Sequence, residues 1–422
     1  MRRFLEIFAT WVLLSFGLFG IIAFLLREYL NIEYSFSSSL SVIVFALLFL
    51  LFLRKWNYLE KGESKSTWPE IILALFLVFL IIRGVFLPVL GWDSYALYDF
   101  RGRLYAEGYS QVDLLEVGKY DEMTKTYYFA YPPMTSVLHG FFYSLGVDRP
   151  MVIYSLFYSS FAIYVYLIIT SLGLKKPFKY LLLFIAILNP LILDQMNVAY
   201  TNLPALTFLI GSVYFLLKFS DSDDLISLYI SALFLAFLSW TRFLEPLYLA
   251  VILAATYLII LRKERPFSNR IFRILVFVFI SVFSRWLWTS YLKTNIGNTE
   301  GYGIDFFILV SRFLESIHLA NIFEVVLFVY ISLRQIWWYL VLFVLDLIFA
   351  LFLIKRISLV SKVLMIIISI ILSIILFGTL YYSVAFDWWD KIPGSLLRSS
   401  LALVPLISIF NASLLSDLNK KK

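Results

Sequence analysis

Residues 71–108 read IILALFLVFLIIRGVFLPVL followed directly by GWDSYALYDFRGRLYAEG. The first part is almost purely apolar and reaches the roughly 20 residues that a helix needs to cross the hydrocarbon core of a bilayer. The second part turns abruptly polar, with Asp, Arg and Tyr interleaved. A span that empties into such a segment predicts a helix leaving the membrane into an ordered loop. Similar apolar runs lie at about 4–26, 36–53, 150–172, 179–194, 203–219, 225–240, 247–261, 274–292, 335–354, 357–378 and 398–415, so about 12 to 13 spans are predicted. Irregular backbone facing lipid would leave amide groups unsatisfied. The expected fold is therefore all-α, a polytopic membrane helix bundle with a long first extracytoplasmic loop.

Composition agrees. Of 422 residues, 62% are hydrophobic and 15% charged, and the mean hydropathy is +0.88, which leaves too little polar surface for a soluble globule of this size. The N-terminal run follows Arg2 and Arg3 but is long and lacks a small-residue cleavage signal, so a retained anchor is expected. The net charge of +7 does not point to nucleic acid, because the basic residues fall in short clusters between apolar runs. Cysteine is absent, which excludes disulfides, thiolate metal sites and thiol nucleophiles.

Those clusters also predict sidedness. Arg54-Lys55, Lys175-Lys176, Arg262-Lys263 with Arg265, Lys355-Arg356 and Lys420 to Lys422 belong in the cytoplasm under the positive-inside rule. The expected organisation is one integral membrane domain over 1–422, with a loop at 91–149 holding short juxtamembrane helices. A second extracytoplasmic, amphipathic segment is expected over 293–334. Residues 132–147 are expected to form a short helix that enters the membrane partway, since a full crossing there would place Lys175-Lys176 outside.

The densest polar constellation is 91–108. Asp93, at the mouth of the third span, has the place and chemistry of a general base for an acceptor hydroxyl. Asp99 and Arg103 are four apart and share a face if the segment is helical, while Arg101 points elsewhere. Such guanidinium groups suit phosphate recognition; the competing reading is an interfacial loop whose charges pair with one another and with lipid headgroups. Asp194, with Gln195 and Asn197, falls at the outer end of a span, where it either orients a bound group or an ion or is a hydrated helix end. Arg242 and Glu245 form a local pair or present Arg242 to a phosphate. Arg83 and Arg285 lie within apolar spans and must snorkel, pair or face a polar cavity; Asp346 is one candidate partner for Arg83. His139 and His318 read as structural or interfacial, with no metal-ligand spacing around them. The loop YYSVAFDWWDKIPG at 381–394 reads as an aromatic belt, with sugar stacking as the alternative.

The pattern WDxxxxxDFRxRxxxxG at 92–108, with Tyr131-Pro132-Pro133 opening a helix, resembles the first extracytoplasmic loop of the GT-C glycosyltransferases. These include the protein O-mannosyltransferases and the aminoarabinose transferase that modifies lipid A. The resemblance continues through Asn189-Pro190, Asp194, Asn202-Leu203-Pro204, Thr241-Arg242 and Glu245-Pro246, and so covers roughly 70–260. It implies transfer of a sugar from a polyprenyl-phosphate donor to an extracytoplasmic lipid, glycan or protein acceptor. Asp93 would be the catalytic base, and Asp99, Arg101, Arg103, Asp194 and Arg242 would bind the donor. The chain departs from the family where Ser94 follows Asp93 in place of a second acid, and where Asn202 stands in place of an acid in the later turn.

No cofactor is predicted; a divalent metal stays open. The expected location is the plasma (inner) membrane with the active site facing outside, and the expected partners are the lipid-linked sugar and membrane lipids, with no nucleic acid. A glycan polymerase or ligase and a membrane transporter remain the alternatives. The early polar loop argues against the first, and the lack of a visible internal repeat against the second.

Overall fold

The computed structural model describes residues 2–57, 68–91, 94–114, 131–242, 245–262, 265–295, 314, 322–385 and 393–419. These are helical almost throughout, with no strand among the described residues. In chain order the helices are α1 (Arg2–Leu30), α2 (Tyr34–Asn57), α3 (Trp68–Phe86), α4 (Phe100–Ala106), α5 (Met134–Ser144), α6 (Val152–Ser171), α7 (Lys176–Ile187) and α8 (Pro190–Asp194). They continue with α9 (Asn202–Ser222), α10 (Leu225–Thr241), α11 (Glu245–Leu261), α12 (Phe267–Asn295), α13 (Ile322–Leu333), α14 (Trp337–Phe352), α15 (Leu359–Ala385), α16 (Pro393–Ser400) and α17 (Leu403–Asn419). By length and composition, 8 helical stretches among the described residues are long and apolar enough to cross a membrane. The fold is thus the all-α polytopic bundle expected.

Two boundaries differ from the sequence reading. Asn189 breaks the predicted 179–194 run: its Oδ1 accepts from Leu191 N–H at 3.0 Å and caps α8, whose first residue is Pro190, a position where the missing N–H costs nothing. The span predicted at 335–354 begins earlier. Helix α13, apolar IFEVVLFVYISL, passes through a 3₁₀ turn at Arg334–Ile336 into α14, making one run of 31 residues over Ile322–Phe352. The C-terminal part of the amphipathic segment expected at 293–334 is therefore membrane-type helix. Helix α5 has 11 residues, about 16 Å at 1.5 Å per residue, too short to cross a bilayer.

Helices α6 and α9 form the centre: 94% and 89% of their apolar windows are buried, against 22% for α3. Being wrapped by protein, α6 tolerates hydroxyls that lipid would penalise. Tyr164 bonds Thr10 at 3.0 Å, Tyr158 donates to the Ile187 carbonyl, and Tyr166 donates to Glu70 at 2.6 Å.

Polar contacts sort the helix ends into two groups. At one end, Arg27 donates to the Gly108 carbonyl, Glu28 accepts from Gln111 N–H and Tyr291, and Arg149 donates to the Phe86 carbonyl. At the other, Arg2 reaches the Leu167 carbonyl, Lys218 pairs with Glu6, Arg265 pairs with Asp223, and Ser358 N–H donates to Asp417. Successive long helices run alternately between the groups. The loop following α3 lies at the first end, and Lys175-Lys176 and Lys355-Arg356 at the second, hereafter the loop end and the basic end.

Candidate functional site

At the loop end the chain leaves α3 and turns at Gly91, where φ is +96°. A Cβ there would stand 3.2 Å from Ser94 Oγ and 3.3 Å from Tyr200 OH, so glycine supplies both the left-handed backbone and the room. A π-helical turn over Ser94–Asp99 then leads into α4. Such wide turns are rare and recur at functional sites.

Helix α4 crosses α5 at two glycines. A Cβ on Gly102 would fall 2.5 Å from His139 Cβ and 3.0 Å from the Ser136 carbonyl oxygen, a closeness only small residues permit. This contact brings Asp99 to the α5 side chains. Asp99 Oδ1 accepts from His139 Nδ1 at 3.2 Å and from the Tyr143 hydroxyl, and Oδ2 accepts from Arg103 Nε at 3.0 Å. His139 is wholly buried, and its Nε2 meets Tyr154 OH at 3.2 Å. Burial pushes the Asp99 carboxyl up, but the bonds from His139, Tyr143 and Arg103 outweigh it and hold the group below the usual carboxylate range. Asp99 is an ionised, pre-oriented carboxylate.

The two arginines flanking Gly102 part ways. Arg103 pairs with Asp99, lies 4.8 Å over the Tyr143 ring and keeps a half-exposed side chain. Arg101 is fully buried. Its Nε donates to the Leu97 carbonyl at 3.0 Å and to Ser136 Oγ at 3.3 Å, and Nη1 reaches the Tyr131 carbonyl at 3.5 Å. That guanidinium ties the π-turn to the start of α5 and is buried in this conformation, whereas Arg103 is not.

The turn between α8 and α9 packs on the same loop. Ala199 N–H donates to Ser94 Oγ at 3.0 Å, Arg83 donates to Asn197 Oδ1 at 2.8 Å, and Asn202 donates to Gln195 at 2.9 Å. Arg83 thus pairs with the polar turn, and Asp346 contacts Asn411 instead. Tyr98, buried beside the Tyr131 ring, also hydrogen-bonds Thr201 and lies within the field of Arg242; burial dominates and lifts its hydroxyl above the ordinary phenol range. From α16, Arg398 lies 5.3 Å over the Tyr200 ring. Asp194 is exposed at the end of α8. Asp93 lies outside the described residues, as do Trp92, His318, Asp387, Asp390 and Lys391 and the side chain of Glu245.

The structure therefore gathers Asp99, Arg103, Tyr98 and Arg242 around one loop end. It adds His139, Tyr143, Tyr154, Tyr200 and Arg398, none of which the sequence marked as site residues. Only His139 carried a signal, as one of 2 histidines in the chain. Among the described residues no group of three or more His, Asp or Glu stands close enough to hold a metal ion.

Comparison with known proteins adds no name. No family model, curated protein or solved structure matches the chain.

Proposed function

We propose that this protein is a membrane glycosyltransferase that moves a sugar from a polyprenyl-phosphate donor to an acceptor on the loop-end side, which the positive-inside rule makes the extracytoplasmic side. One observation carries the reading. The separate stretches that resemble GT-C enzymes meet in space: Ser94 binds Ala199, Tyr98 sits against Tyr131 and Thr201 within the field of Arg242, and Asp99 is set by the helix that Pro132-Pro133 opens. A bilayer-edge site of this kind suits a donor whose tail stays in lipid while its head reaches the loop.

In this scheme Asp93 takes the proton from the acceptor hydroxyl or amine as the acceptor atom bonds to the anomeric carbon. The bond from that carbon to the phosphate oxygen breaks, and polyprenyl phosphate leaves with the bonding electron pair. Arg242, Arg103 and Arg398 are the half-buried or exposed guanidinium groups placed to offset that charge, whereas Arg101 holds the loop. Asp99, occupied by three donors, positions Arg103 and α5. The test is release of polyprenyl phosphate when the purified protein meets polyprenyl-phosphate hexose and pentose donors with a crude envelope acceptor fraction. Release above a protein-free control supports the proposal; none across the donor panel removes it.

A further inference from the structure

At the basic end, remote from the loop, α10 and α12 pack side by side, and their first turns border a groove. The groove between them has a volume of about 430 Å³ and is lined by Leu225, Tyr229, Ser268, Asn269, Phe272 and Arg273. Its floor is charged. Arg273 is 5% exposed, and its Nε donates to Asn269 Oδ1 at 2.8 Å while Nη1 bonds Asp223 Oδ1 at 3.2 Å. The same carboxylate also receives Arg265 at 2.7 Å and Arg262 at 3.9 Å. The neighbouring acid Asp224 is committed elsewhere, accepting from Ile226 N–H, Ser227 N–H and Ser227 Oγ at the start of α10. Three guanidinium groups therefore share the Asp223 carboxylate, and one of them, Arg273, lines the open groove.

The groove's outer wall is apolar and continues along an exposed side of α12. Phe272 is 62% exposed, and Leu275 and Phe279 extend the strip below it. A polar, positively charged recess at the bilayer boundary, opening onto an apolar strip a few turns long, matches one kind of molecule: a headgroup carrying net negative charge with acyl chains attached. A free phosphate would use the recess but leave the strip unexplained. A zwitterionic lipid would bring its own cation to a site already rich in cations.

We propose that this groove is a binding site for one anionic phospholipid of the basic-end leaflet. Arg273 and the Ser268 hydroxyl take the phosphate, and the acyl chains lie along Phe272, Leu275 and Phe279. The site is independent of the proposed transferase chemistry.

The test is native mass spectrometry of the full-length protein in detergent with dioleoyl phosphatidylglycerol, dioleoyl phosphatidylcholine or glycerol 1-phosphate. The parent should retain phosphatidylglycerol in preference to phosphatidylcholine, and glycerol 1-phosphate should not displace it. Arg273→Gln should weaken phosphatidylglycerol by about tenfold, the scale of one lost charge-assisted hydrogen bond, and Asn269→Asp by a similar factor through the negative charge it sets beside the phosphate. Asn269→Asp keeps an acceptor for Arg273 Nε, so it decides the matter if Arg273→Gln fails to fold. Arg265→Gln, on the same carboxylate but outside the groove, should stay within about twofold. Parent-like binding by Asn269→Asp, equal losses in Asn269→Asp and Arg265→Gln, equal retention of phosphatidylcholine, or displacement by glycerol 1-phosphate would each overturn the assignment.

Discussion

Asp99 accepts a hydrogen bond from His139 Nδ1 at 3.2 Å across the crossing of α4 and α5. Because the ionised carboxylate only accepts, Nδ1 carries the proton, and the bond joins the first loop to the helix behind it.

Asp99→Asn should therefore loosen the loop more than it blocks chemistry. Leaving buried donors without their acceptor costs about 1–3 kcal/mol, read as a lower melting temperature in detergent at neutral pH. The sign with pH follows from the depressed pKa. The stabilisation is full above the unfolded carboxylate value of about 3.9 and is lost as pH falls through the lower folded value. The parent should lose this part of its stability only below about pH 4, and Asp99→Asn should lack that step. A parent and variant with identical melting curves from neutral pH down to pH 3 would contradict the pairing.

Gly102→Ala should be among the costlier single-methyl changes in the chain. The added Cβ would meet His139 Cβ and the Ser136 backbone oxygen, so α4 and α5 must separate, at about 1–3 kcal/mol for overpacking. Thermal unfolding measures it; an unchanged midpoint would show that the crossing is looser than described.

Arg101 and Arg242 should fail in different ways. Arg101→Gln removes a fully buried guanidinium bonded to Leu97, Ser136 and Tyr131, so the folded yield or melting temperature should drop. Arg242→Gln should leave the fold intact and weaken donor binding by about tenfold, one charge-assisted contact. Titration of a polyprenyl-phosphate sugar against both variants separates them. The reverse pattern would exchange their roles.

Hydropathy alone located most of the long helices, because a bilayer demands long apolar runs and penalises every other backbone state. The Asp99–Arg103 pair was also legible, since helical spacing places them together. The rest of the site was not. His139 reaches Asp99 only through the glycine crossing, Arg83 finds Asn197 across 114 positions, and Arg398 meets Tyr200 from the far end of the chain. None of these has local periodicity to announce it. The burial of Arg101 was not legible either, because it depends on α5, which its own neighbours do not encode. The merger of α13 with α14 was missed because Arg334 reads as the edge of a span, whereas the 3₁₀ turn carries the helix past it.

Sidedness has a direct check in a chain without cysteine. Single thiols at Glu107 and Lys176, both exposed and at opposite ends of the bundle, should differ in intact cells: an impermeant maleimide should label Glu107→Cys and spare Lys176→Cys until the membrane is opened. Equal labelling would undo the orientation.

The central claim is transfer from a lipid-phosphate donor with Asp93 as base, and its most direct measurement is the initial rate of polyprenyl phosphate release by parent and Asp93→Asn proteins at matched folded concentration. The parent should turn over the donor, and the variant, which keeps the side chain's shape but not its charge, should be slower by roughly 10² or more, the scale of lost general-base catalysis, while still binding the donor. Parent-like release by Asp93→Asn would contradict the account.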